Sequence, residues 1–168
     1  MCMIIFVYGQ DNYRSRVYVN QLIEKFEKER DPERTNVIRL DAMSEKAEDL
    51  WNATLSAPFL AEKRMVILEH PISASGQENF RKKLKEKIEA QEIPDSTILI
   101  VYEQTDTFKK KEQKELFATL AQQKFSQRFD NLDQRHLTAW IAAEVQSNGG
   151  EIHHKAAQLL ASRIPEDH

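Results

Sequence analysis

Met3-Ile-Ile-Phe-Val-Tyr8-Gly9-Gln-Asp-Asn-Tyr-Arg14-Ser15-Arg16 decides the fold class of this chain. Six apolar, mostly β-branched or aromatic residues run without a polar interruption and stop at a glycine. Such a run suits a strand buried on both faces, as in a parallel sheet, rather than the alternating pattern of a half-exposed strand. A helix follows. From about Tyr13 to Arg30, Tyr18, Leu22 and Phe26 recur every four residues with Val19 and Ile23 beside them, against a Glu/Lys/Arg face. Asp11 or Asn12 can cap this helix, and Asp31-Pro32 ends it.

The same alternation continues down the chain. Strands are expected at Asn36–Leu40, Met65–Leu68, Thr97–Tyr102 and, briefly, Gln127–Phe129. Between them the spacing predicts helices from a Ser44 cap to Leu55, over Gln77–Ala90 (Phe80, Leu84 and Ile88 four apart) and over Phe108–Lys124. Strands alternating with helices give an α/β fold with right-handed crossovers, here a five-stranded parallel sheet flanked by helices. Past Asn131 no strand signal remains. Two helices are expected, about Asp133–Ser147 and His154–Arg163, around the turn Asn148-Gly149-Gly150. The expected division is an α/β domain over 1–131 and the beginning of a small helical domain over 132–168. Leu159, Leu160 and Ile164 leave that second part with an unmatched apolar face, so the expectation is that the chain is the front of a longer protein.

Composition narrows the function. The chain has 168 residues, net charge −3, 40% hydrophobic and 30% charged residues. That is enough for a core without staples, since a chain of this size buries roughly 70% of its unfolded surface. Cys2 has no partner for an internal disulfide. No apolar run approaches the roughly 20 residues that span a bilayer. The expectation is a soluble, cytoplasmic protein with no membrane contact. The near-neutral balance argues against a protein living wholly on nucleic acid.

Gly9 to Arg16 lies where a phosphate-binding loop would lie, between the first strand and the first helix. Such a loop needs G-x-x-x-x-G-K-[ST], because backbone N–H groups cradle the phosphates and the lysine reaches the terminal ones. Gly9 is kept, but Arg14 stands at the second glycine, Ser15 at the lysine and Arg16 at the Mg²⁺-binding hydroxyl. The third strand ends Leu68-Glu69-His70-Pro71, a lone acid without the second carboxylate that water activation needs. Glu103, after the fourth strand, reads as a solvated strand-end residue. The loop is thus a degenerate phosphate loop, and ATP hydrolysis is not expected. Adjacent histidines His153 and His154 diverge on a helix and lack cysteine partners, so no metal site is expected. Cys2 has no placed base, and no serine lies in G-x-S-x-G, so no catalytic residue is expected. Arg81-Lys82-Lys83 and Lys109-Lys110-Lys111 are interleaved with glutamates and read as solvated helix faces.

One segment departs from pattern. In Ser56-Ala-Pro58-Phe59-Leu60-Ala-Glu-Lys-Arg64, Pro58 ends the second helix and two large apolar residues follow off any helical period. They either tuck beneath the sheet or are presented as an anchor for a partner's pocket.

These residues resemble a known family. Ile4-Ile-Phe-Val-Tyr-Gly9-Gln-Asp-Asn-Tyr, Asn36-Val-Ile-Arg-Leu-Asp41, Pro58-Phe-Leu-Ala-Glu-Lys-Arg64, Pro94-Asp-Ser-Thr-Ile-Leu-Ile100 and Leu137-Thr-Ala-Trp-Ile141 are similar, in order, to the delta subunit of bacterial DNA polymerase III. That family is the clamp-loader subunit of the AAA+ superfamily that keeps the fold but lacks a working ATP site. The resemblance implies an accessory replication protein that binds the sliding clamp (the beta subunit) and helps open the ring for loading on primed DNA. It further implies other loader subunits as partners, indirect contact with primed DNA, no cofactor, and a helical lid as the second domain. It assigns clamp binding to Pro58, Phe59 and Leu60, with the pair exposed. The alternative is a divergent P-loop ATPase or kinase using Glu69 and Arg14, and a third reading is an adaptor gripping DNA through the lysine-rich helices.

Overall fold

A computed structural model describes residues 2–164. The chain divides into two units, one through Phe129 and one from Asp130. In the first unit the strands are β1 (Met3–Gly9), β2 (Val37–Asp41), β3 (Arg64–Glu69), β4 (Thr97–Glu103) and β5 (Phe125–Phe129). All pair in parallel, in the order β2-β3-β4-β1-β5. The helices between them are α1 (Asn12–Arg30), α2 (Ala47–Leu55), α3 (Glu78–Glu89) and α4 (Lys111–Ala121).

The unbroken apolar run of β1 is explained by two cores. Ile4 and Phe6 join Val66, Leu68, Leu99 and Val101 under α2, α3 and α4. Ile5 and Val7 join Met65, Ile67, Ile100 and Tyr102 under α1, whose Val19 and Phe26 close that face. Successive strand residues point to opposite faces, so both registers must be apolar when both faces are covered.

Four local expectations are corrected. Ser44 does not cap α2: its hydroxyl turns back to the Asp41 carbonyl, and Lys46 takes the cap position without a side-chain bond. Helix α4 begins at Lys111, because Phe108 drops into the core first and the Gln113 carboxamide accepts from the Lys110 N–H to start the helix. Strand β5 is longer than Gln127–Phe129, since Ile5 already pairs with Phe125. Arg81 is no solvated residue: it is fully buried, donating to the Ala74 carbonyl at 2.7 Å and facing Glu112 at 3.4 Å. Lys82 and Lys83 beside it are exposed, and Lys110 pairs with Glu78 at 2.6 Å.

The second unit contains α5 (Gln134–Ser147) and α6 (His154–Ala161). Asp133 caps α5 by accepting from the His136 N–H at 2.8 Å. Ile141, Ala157 and Ala161 form its core with Leu137, Trp140, Val145 and Ile152 packed around them. Leu159, Leu160 and Ile164 are exposed. Among the described residues no helix is long and apolar enough to cross a membrane.

Candidate functional site

In an open parallel sheet, ligands bind beyond the carboxyl ends of the strands, where the connections diverge to opposite sides. Here that point lies between β1 and β4: the chain leaves β1 toward β2 on one side and leaves β4 toward β5 on the other. The loop after β1 sits there, and its Asp11, Arg14 and Ser15 are bonded from within the protein. The Asp11 carboxylate accepts from the Arg14 N–H at 2.8 Å and from Arg14 Nε at 2.7 Å, so the positive end of α1 already carries an anion. The Arg14 guanidinium lies 5.8 Å over the Phe129 ring. Ser15 is buried, its hydroxyl donating to the Asp11 carbonyl at 2.7 Å and lying 3.1 Å from the Tyr102 hydroxyl. Arg16 points to solvent. Gly9 is present for a different reason from phosphate binding. A Cβ there would lie 2.1 Å from the Phe129 carbonyl oxygen, and its φ of +129° suits only glycine. The Asp11 carboxylate thus occupies the capped N-terminus of α1, and the Tyr102 hydroxyl reaches the loop through Ser15.

Acidic groups at the same sheet edge are likewise engaged. Glu69 pairs with Arg39 at 2.6 Å, and Asp41 meets His70 Nδ1 at 3.0 Å. Burial raises the Asp41 carboxyl, but the Met43 N–H and His70 outweigh it and leave it below the ordinary range. Glu103 corrects the solvated reading: it is fully buried and accepts from the Ile72 N–H at 2.5 Å, the Ser73 N–H at 3.0 Å and the Ser73 hydroxyl at 2.9 Å. Burial pushes its carboxyl up despite those donors. It staples the segment after β3 to β4. Among the described residues no group of three or more metal-ligating side chains comes together.

At the other end of the sheet, the segment entering β3 has a different character. Helix α2 stops at Leu55, and Ser56 and Pro58 turn the chain out. Phe59 is then 65% exposed and Leu60 93% exposed, which excludes the reading that the pair tucks beneath the sheet. Leu60 adopts φ +49°, a region that non-glycine residues populate sparsely. The backbone leading into Leu60 is gripped at Ala57 and at Phe59. Arg64 Nη1 donates to the Ala57 carbonyl at 3.2 Å. The Asn36 carboxamide takes the Phe59 N–H at 2.7 Å and returns a bond from Nδ2 to the Phe59 carbonyl at 3.0 Å. Asn36 is itself held by Asp31, which accepts from its N–H at 2.8 Å and from Nδ2 at 3.0 Å. Burial raises the Asp31 carboxyl, but the bonds from Asn36 and Thr35 outweigh it and set it below its ordinary value.

Sequence reading missed Asn36 and Asp31, which it took as a strand start and a helix stop. The signal was indirect: pairing of β2 with β3 places the residue before Val37 beside the entry to Met65.

Comparison with solved structures places this architecture. The Bacillus subtilis DNA clamp loader delta protein superposes with a TM-score of 0.64 at 15% identity, covering 94% of this chain and 47% of that one. A RuvB mutant from Thermotoga maritima gives 0.57 at 15% identity over 97% of this chain and 49% of the other. A DNA polymerase III gamma subunit-related protein, also from Thermotoga maritima, gives 0.52 at 16% identity over 96% and 53%. The chain thus spans about half the length of the solved chains it matches. These likenesses establish an AAA+-like fold. No curated protein matches the sequence. Residues 6–128 match the family model of the DNA polymerase III delta subunit, and with most of the sheet and its helices inside that match the chain belongs to the DNA polymerase III delta subunit family.

Proposed function

We propose that this chain binds a DNA polymerase sliding clamp by inserting Phe59 and Leu60, flanked by Pro58, into an apolar pocket of the ring, and so helps hold the ring open for loading on primed DNA. It does this without hydrolysing a nucleotide of its own. The carrying observation is the exposure of Phe59 and Leu60 on a backbone gripped at Ala57 and at Phe59. A monomer gains nothing by holding a leucine 93% in solvent at φ +49°. Family membership supplies the partner class, and the internally bonded loop after β1 supports a binding role rather than bond chemistry.

The energetics are those of a small anchor. Each buried side chain contributes about 1.5–3 kcal/mol of transfer free energy before association costs. Binding opens the ring only to the extent that the open form is held more tightly than the closed one. The other loader subunits and primed DNA, the latter indirectly, complete the partner set, and the cytoplasm is the compartment where such a replication protein works.

Surface plasmon resonance on a bacterial sliding clamp tests the reading. The wild-type chain should bind saturably, and the Phe59→Ala/Leu60→Ala variant should lose at least about 100-fold in affinity, equivalent to about 2.8 kcal/mol, while retaining its circular dichroism spectrum. Normal binding by the double variant would sink the assignment. Saturable micromolar binding of ATP with Mg²⁺ would favour a divergent nucleotide-binding enzyme instead.

A further inference from the structure

We propose that Asn36, braced by Asp31, is the positioning residue that locks the Phe59–Leu60 loop in its binding shape; the inference rests on the clamp-docking reading of that loop. Asn36 and Asp31 are polar and almost fully buried, 4% and 3% exposed. Burying an amide and a carboxylate is costly unless every group is bonded, and here they are bonded mostly to each other and to one target. The Asn36 carboxamide presents its oxygen to the Phe59 N–H and its nitrogen to the Phe59 carbonyl, the two-way pairing that a neighbouring strand residue would make. A side chain thus substitutes for a strand neighbour at one residue of a loop.

Asp31 supplies the rigidity. Its carboxylate accepts from the Asn36 N–H and Nδ2 and from the Thr35 N–H at 3.3 Å. These bonds choose the orientation of the amide, with oxygen toward the Phe59 N–H. Upstream, Arg64 Nη1 fixes the Ala57 carbonyl. Between these two fixings lies Pro58, and immediately after Phe59 comes Leu60 at φ +49°. A leucine stays in that region only where its surroundings over-determine the backbone. Released, the loop spreads over many conformations, and apparent affinity falls by the fraction that remains competent.

Two readouts on Asn36→Ala separate positioning from general support. Phe59 and Leu60 are exposed chymotrypsin sites, so native-state cleavage after either, identified by fragment mass, reports loop freedom. Cleavage at least about 10-fold faster than wild type, together with at least about 10-fold weaker binding to the sliding clamp, supports the proposal. Wild-type cleavage and wild-type affinity overturn it. Faster cleavage with unchanged affinity also overturns it, because the lock then serves the fold alone. If Phe59→Ala/Leu60→Ala binds the clamp as wild type does, the docking reading has failed and the proposal falls with it. If Asn36→Ala does not fold, hydrogen exchange of the wild-type Phe59 amide decides. Protection of at least about 10-fold over the random-coil rate supports the lock, and none overturns it.

Discussion

The two ends of the central sheet handle their polar and apolar groups in opposite ways. At the carboxyl end, where the fold offers a ligand crevice, Asp11 caps α1, Ser15 and Tyr102 fill the interior, Glu69 pairs with Arg39 and Glu103 staples the segment at Ile72 and Ser73. Asp11, Arg14, Ser15, Glu69 and Glu103 are all bonded from within the protein. At the amino end, the loop entering β3 keeps its backbone bonded through Asn36 and Arg64 while Phe59 and Leu60 project into water. At one end the side chains of Asp11, Arg14 and Ser15 are bonded inward; at the other, internal bonds hold an apolar pair outside. The two ends share a sheet but not side chains, so under the proposed function a change at one end need not alter the other.

Substitutions at the carboxyl end should cost stability. Gly9→Ala sets a Cβ against the Phe129 carbonyl at a φ reserved for glycine, and urea denaturation should show a loss of at least about 3 kcal/mol. A loss under 1 kcal/mol would mean that β5 moves freely away from β1. Asp11→Ala removes the resident cap of α1 and should cost about 1 kcal/mol in the same assay, without creating ATP binding; appearance of nucleotide affinity would show that the carboxylate alone had kept the loop from working.

The amino end should behave in the reverse sense. Leu60→Gly relieves a left-handed leucine, an arrangement that costs roughly 1–2 kcal/mol, while the greater freedom of glycine in the unfolded chain returns part of that. Thermal melting should therefore change by no more than about 1 kcal/mol, in the stabilising direction, while clamp affinity falls. A clear destabilisation would show that Leu60 packs in the fold after all.

The smallest effect is a pH slope. Burial raises the Glu103 carboxyl in the folded state, so between its unfolded and folded values the native form holds more protons than the unfolded form. Its contribution is fully present below the unfolded value and is lost as pH rises through the folded one. Stability of Glu103→Gln should lack that downward slope, since glutamine can still accept from the Ile72 and Ser73 N–H groups. An identical pH profile in both proteins would place the titration elsewhere.

Which of these features the sequence announces depends on how local their causes are. The β1 run and the four-residue spacing of Phe80, Leu84 and Ile88 are set by neighbours in the chain, so strands and helices were readable within a few residues. Arg14, Ser15 and Arg16 could be read as failing a phosphate loop, because that motif is defined by contiguous positions. Glu103 and Arg81 could not be read, since Tyr102-Glu103-Gln104 and Arg81-Lys82-Lys83 look solvated until Ile72, Ser73 and Ala74 arrive from another element. Asn36 and Asp31 were hidden for the same reason: their target, Phe59, is 23 residues from Asn36. Phe59 and Leu60 stood out because they broke the period around them.

Clamp affinity measured side by side for variants of the two ends puts the contrast to its most direct test. Titration of a sliding clamp should give one affinity for the wild-type chain and for Arg14→Ala, unchanged by ATP and Mg²⁺, and a loss of at least about 100-fold for Phe59→Ala/Leu60→Ala. Binding that survives in the double variant, or that requires ATP or Arg14, would contradict the account.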